Sequence, residues 1–210
     1  KGGEFDYLLN ATENLELLKE RFIVFELDNI KDHPILFPVV TIIIMEVFIS
    51  KMRKLKGVRK MILIEEAWKA IAKEGMSEYI KYLFKTVRKF FGEAIVVTQE
   101  IEDIISSPVV KQAIINNSDC KILLDQSKYQ NKFDQIQELL GLTDKEKALV
   151  LSVNKANEPD KKYKEVFISL GGRLSKVYRT EVSLEEYLAY TTEESEKVKM
   201  NAYAKKFDGD

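Results

Sequence analysis

The sequence predicts an α/β fold with a mostly parallel central sheet, an antiparallel hairpin at the sheet's edge and C-terminal helices. Two observations carry that prediction. Apolar runs of strand length alternate with segments of helical period between residues 21 and 125, and a β-α-β order of this kind is met by parallel strands with right-handed crossovers. Further on, Gly171-Gly172 separates two alternating segments, as in a hairpin, and Ser183-Leu-Glu-Glu186 reads as a capping box opening a terminal helix.

Taken in order, RFIVFEL at residues 21–27 is rich in β-branched and aromatic side chains and reads as a strand. A long buried helix is expected next. It starts near Pro34 to Pro38, carries the apolar run to Ile49, and ends with Lys51, Arg53, Lys54 and Lys56 before Gly57, where cations suit the helix dipole and glycine suits the cap. Residues 61–65 form an apolar run without polar alternation, as expected of a central strand covered on both faces. Ser77 is the expected N-cap of a helix with Ile80, Leu83, Phe84, Val87 and Phe91 on one face, stopped by Gly92. Ala94-Ile-Val-Val-Thr98 and Lys121-Ile-Leu-Leu-Asp125 are two further strands, with a helix near 108–117 between them. Two short helices separated by Gly141 follow, the second capped by Thr143, and a strand is expected near Ala148 to Val153. The division expected is a domain over residues 1–190 and a helical tail over 191–210.

With 210 residues, 45% of them hydrophobic, the chain has enough material for one sizeable core. Its 33 basic and 34 acidic residues nearly cancel, so net charge does not support DNA contact. Cys120, the only cysteine, has no partner for an internal disulfide, and His33, the only histidine, excludes a His-His metal pair within the chain. A reducing cytoplasm fits this usage. Residues 35–50 are the most membrane-like, but Pro38 and Glu46 interrupt them and they fall short of the roughly 20 apolar residues of a spanning helix. The opening KGGEFDYLLN, without methionine, reads as the interior of a longer protein.

The chemistry concentrates in RKMILIEEAWKAI, where an apolar strand runs into Glu65-Glu66. In open α/β sheets ligands bind beyond the carboxyl ends of the strands, so both acids stand where a ligand would sit. The pattern matches Walker B: the first acid holds Mg²⁺ through water and the second polarises the water that attacks a γ-phosphate. The alternative is structural, with Glu65 at the exposed strand end and Glu66 accepting amides of the next helix. Thr98-Gln99 ends an equally apolar strand, and if the two strands are neighbours Gln99 comes beside Glu66. A turn residue is its plain alternative. Arg88 and Lys89 border the apolar stripe of their helix and offer charge for a phosphate, in the manner of an arginine finger reaching a neighbouring subunit, or simply a solvated face. Trp68 reads as packing on the sheet rather than stacking on a base. No G-x-x-x-x-G-K-[ST] occurs: Gly2-Gly3 lacks the lysine and threonine, and Gly171-Gly172-Arg173 sits in a hairpin.

FELDNI, the long apolar helix, RKMILIEEAWKAI, FKTVRKFFGEAIVVTQEIEDI and KVYRTEVSLEEYLAYTTEE together resemble the C-terminal part of the TraG-type conjugation ATPases, within the type IV secretion ATPase family. The resemblance runs over nearly the whole chain. It implies a RecA-like three-layer fold and a motor that hydrolyses ATP with Mg²⁺ to drive assembly of a conjugative secretion channel, or transfer through it. It implies as partners the other subunits of a hexamer and inner-membrane channel proteins, at the cytoplasmic face of a bacterial inner membrane. By position it makes Glu65 the Mg²⁺-side acid, Glu66 the catalytic glutamate, Arg88 and Lys89 the basic pair near phosphates, and Gln99 the γ-phosphate-sensing glutamine. Glu65 stands where aspartate is commoner in the family. The family's phosphate loop lies upstream of residue 21, so this chain alone is expected to lack hydrolysis. A DNA translocase on the same core, and a non-catalytic docking module for the channel, are the competing readings.

Overall fold

The computed structural model describes residues 16–65, 76–99, 108–155 and 163–206, together with residues 2, 3, 5, 6, 10 and 13. Its contacts divide the chain into two compact units, Lys1–Ser118 and Asp119–Asp210.

In the first unit, helix α1 (Leu36–Lys54) leads to strand β1 (Lys60–Glu65), helix α2 (Met76–Thr86), a 3-10 turn (Val87–Phe90), strand β2 (Gly92–Val97) and helix α3 (Pro108–Asn117). β1 and β2 are parallel, paired from Lys60 with Gly92 to Glu65 with Val97. Met45, Phe48, Ile49 and Met52 of α1, Ile80, Leu83 and Phe84 of α2, Val87 and Ile114 form one buried cluster. Ile62, Ile64, Ala94 and Val96 of the two strands pack against it, so the helices cover one face of the pair. The other face carries Met61 and Leu63 at 58% and 57% exposure, which corrects the expectation that both faces are covered. α1 is likewise buried on one side only, with Val39, Ile42 and Ile43 exposed. Among the described residues no helix is long and apolar enough to cross a membrane.

Residues 21–27 are not a strand. Phe22 and Val24 are 86% and 72% exposed, and among the described residues β1 and β2 pair as strands only with each other. Strand propensity is realised through cross-strand neighbours, and among the described residues this segment has none. The helix expected to stop at Gly92 ends earlier: Ser77 lies inside its first turn, the coil tightens after Thr86, and Phe91 in the left-handed conformation (φ 55°, ψ 46°) terminates it. Gly92 serves close approach instead. A Cβ there would lie 2.8 Å from Val87 Cγ2 and 3.2 Å from the Val87 carbonyl oxygen.

The second unit is built on the antiparallel sheet β3 (Cys120–Leu123), β4 (Tyr163–Leu170) and β5 (Leu174–Glu181), in that order. The mostly parallel sheet expected from sequence is therefore a parallel pair and a separate three-stranded antiparallel sheet among the described residues. An apolar run specifies burial but not direction, so β3 gave no sign of its antiparallel partner. The β4–β5 hairpin turns at Gly171 and Gly172, both at positive φ, as expected. Helix α4 (Phe133–Leu140) ends at Gly141 in the left-handed conformation, and α5 (Asp144–Ser152) starts from a capping box between Thr143 and Glu146. That box corrects the strand expected near Ala148 to Val153: a helix nucleated at Asp144 runs through those residues until its end at Ser152. Helices α6 (Leu184–Tyr190), with the expected Ser183–Glu186 box, and α7 (Glu194–Lys206) bury no residue.

Glu146 does more than cap. Its side chain is buried, and one carboxylate oxygen accepts from Ser169 Oγ (3.0 Å) and Ser175 Oγ (2.5 Å) on the two hairpin strands. The other accepts from the Thr143 backbone N–H and hydroxyl at 2.8 and 2.9 Å. Burial alone would raise this carboxyl's pKa, but the bonds from Ser175, Thr143 and Ser169 outweigh it and lower the value to about 2.

Adjacent residues should respond oppositely to substitution. Gly92→Ala should cost about 1–3 kcal/mol through overpacking against Val87, whereas Phe91→Gly, which removes left-handed strain at an exposed side chain, should cost nothing or stabilise by about 1 kcal/mol; urea denaturation reads both. Glu146→Gln should cost about 1–3 kcal/mol at pH 7. Because the folded pKa is depressed, the carboxylate's stabilisation is present above the ordinary pKa of 4.5 and is lost as pH falls toward about 2. Acid titration of stability should therefore be flatter in that window for Glu146→Gln than for the natural sequence.

Candidate nucleotide site at the strand tips

The parallel register decides which side chains meet. Glu65 is the last residue of β1 and lies level with Val97, so Thr98 and Gln99 emerge from β2 just beyond it. Neighbouring strands lie about 4.8 Å apart, which brings Glu65 and Gln99 to the same end of the sheet, and both are exposed there. The two strands are thus neighbours, and their polar ends lie on the same side of the pair. Glu66 and Trp68 lie outside the described residues.

Arg88 and Lys89 are placed elsewhere. Both are exposed on the 3-10 turn that feeds the start of β2, at the opposite end of the sheet from Glu65. A strand of six residues separates the two ends by about 16 Å. One subunit therefore does not bring Arg88 or Lys89 to its own Glu65 and Gln99. The turn itself is tied to the sheet: the Lys60 N–H donates to the Phe91 carbonyl at 3.1 Å and the Lys60 ammonium to the Phe90 carbonyl at 2.8 Å. Next to it, Arg59 Nε donates to Glu93 Oε1 at 2.9 Å. No sequence signal singled out Lys60, because its partner carbonyls lie 30 residues away and belong to backbone.

Among the described residues no group of three or more His, Cys, Asp and Glu side chains could hold a metal ion. A cation at this tip would thus rely on a single described carboxylate, with water and phosphate oxygens completing its shell, which is the ordinary habit of Mg²⁺ beside a nucleotide. An exposed Glu65 fits that role and would not fit an all-protein cage.

Among curated proteins no relative matches. Among solved structures the chain is similar to the structure of VirB4 of Thermoanaerobacter pseudethanolicus, with a TM-score of 0.54 and 21% identity over 79% of this chain. The chain spans 42% of the length of that protein, and at this identity the likeness speaks to the fold. A family described as the TraG P-loop domain matches residues 1–210, and the chain accordingly belongs to the TraG P-loop domain family.

Proposed function

We propose that this chain is the portion of a type IV secretion ATPase that carries the metal-side and water-activating acids, and that the intact protein hydrolyses ATP to drive assembly of, or transfer through, a conjugative channel. The observation that carries the reading is the pairing of two parallel strands whose polar ends, Glu65 and Thr98-Gln99, lie side by side; Glu66 is the next residue of the sequence after Glu65. In this reading Glu65 holds the water shell of Mg²⁺, which supplies charge to the β- and γ-phosphate oxygens. Glu66 orients and deprotonates the attacking water, and the Gln99 amide touches that water and the γ-phosphate. Residues 1–210 contain no G-x-x-x-x-G-K-[ST], so other residues of the intact protein cradle the phosphates.

Arg88 and Lys89 then serve a neighbouring subunit. An acidic tip at one end of a sheet and a basic turn at the other form a head-to-tail contact, the heterologous kind that closes into rings when its rotation permits. In this reading the contact repeats around a hexamer with the site between adjacent subunits, and the intact protein has a RecA-like three-layer fold and works at the cytoplasmic face of a bacterial inner membrane.

Steady-state ATP hydrolysis by the intact protein tests the reading. Glu66→Gln should lower turnover by a factor on the order of 10² to 10⁴ while nucleotide binding persists. Equal rates would make the two glutamates structural and end the ATPase assignment for this tip.

A further inference from the structure

The end of the sheet opposite the acidic tip is held more firmly than a surface turn requires. Lys60 is buried, with 8% of its surface exposed, although lysine is among the residues least often found inside. It closes the 3-10 turn with two donors at once, its backbone N–H on the Phe91 carbonyl and its ammonium on the Phe90 carbonyl. The last carbonyls of a helix lack internal partners and carry partial negative charge, so an ammonium is well matched to them. The two following residues add constraints of their own. Phe91 is held left-handed while its ring stays 59% exposed, and Gly92 sits where a Cβ would strike Val87. Non-glycine residues in this region persist where the surroundings over-determine them, often beside functional groups. Between the cluster at Val87 and the Lys60 clamp at Phe90 lie only Arg88 and Lys89, both pointing to solvent.

We propose that Lys60 is a positioning residue: by clamping the end of the Val87–Phe90 turn it fixes the direction in which Arg88 and Lys89 are presented to the γ-phosphate bound by a neighbouring subunit. The proposal rests on the ATPase reading given above. The Lys60 stem is buried and its ammonium bonds the Phe90 carbonyl, so an apolar side chain of similar length without the charge keeps the burial and frees the turn. A displacement of about 1 Å in a group that stabilises transferring phosphate is enough to cost on the order of 10² in rate.

The test is a double-mutant cycle in the intact, assembled ATPase. Lys60→Met should lower kcat on the order of 10²-fold with KM for ATP unchanged, and Arg88→Ala should lower it on the order of 10³-fold or more. In the Arg88→Ala background Lys60→Met should cost little further, because the group it positions is already gone. Mixing Lys60→Met subunits with Glu66→Gln subunits should restore part of the turnover, since some interfaces then join an intact glutamate to a correctly held arginine. An unchanged kcat in Lys60→Met, the same fold-loss in both backgrounds, or no recovery on mixing would overturn the positioning role while Arg88→Ala still impairs turnover. Should Lys60→Met fail to fold by circular dichroism, Lys60→Gln, which keeps a donor of shorter reach, is read in the same cycle with the same criteria. If Glu66→Gln and Arg88→Ala both retain the natural rate, the ATPase reading itself fails and this proposal falls with it.

Discussion

Parallel strands cannot be joined by a tight turn, so the pairing of Lys60 with Gly92 through Glu65 with Val97 obliges the chain to leave the sheet at Glu65, cross over it and re-enter at the end where β1 began. Helix α2 makes the described part of that crossover. Its apolar face, Ile80, Leu83 and Phe84, meets α1 and the strands in the same buried cluster. Each of these side chains, fully buried, contributes about 1.5–3 kcal/mol relative to exposure, so the crossover is held mainly by this face. Re-entry is the crowded point. The turn must stop within a residue of the strand, and a left-handed Phe91, a side-chain-free Gly92 and the Lys60 clamp together make that stop.

The same constraint sorts the polar groups. Strands that run the same way put both carboxyl ends at one pole, where Glu65 and Gln99 stand, and both amino ends at the other, where Arg88 and Lys89 stand. An antiparallel pair would have mixed them. The two placements are therefore consequences of one register.

The second unit solves a different problem, that of placing a charge inside. Glu146 is worth its desolvation only because Ser169, Ser175 and Thr143 all donate to it, and those donors come from two strands and a helix cap. A carboxylate satisfied in this way fixes how the hairpin and α5 meet, since another arrangement would leave buried hydroxyls and charge unpaired. Both oxygens are taken up by these contacts, so Glu146 has a structural part and is not a site residue.

Features governed by near neighbours were legible in the sequence. The Gly141 stop, the Ser183–Glu186 box, the Gly171-Gly172 turn and the helix at 108–117 each depend on residues within a few positions, and each stands as read. The ends of β1 and β2 were legible too, because their apolar runs stop at Glu65 and at Thr98-Gln99. What depended on partners far along the chain was not. Residues 21–27 have the composition of a strand and lack a strand neighbour among the described residues, Ala148 to Val153 have the composition of a strand and fall to a helix begun at Thr143, and β3 takes its direction from β4, more than 40 residues on. The sequence by itself determined which residues are apolar, the helix ends at Gly141, Thr143 and Ser183, and the acid that ends β1, since these are properties of side chains and short-range backbone bonds. Only the tertiary structure decided strand direction, the separation of Arg88 from Glu65 and the burial of Lys60 and Glu146, because hydrogen-bond partners across the fold are chosen by packing and not by adjacency.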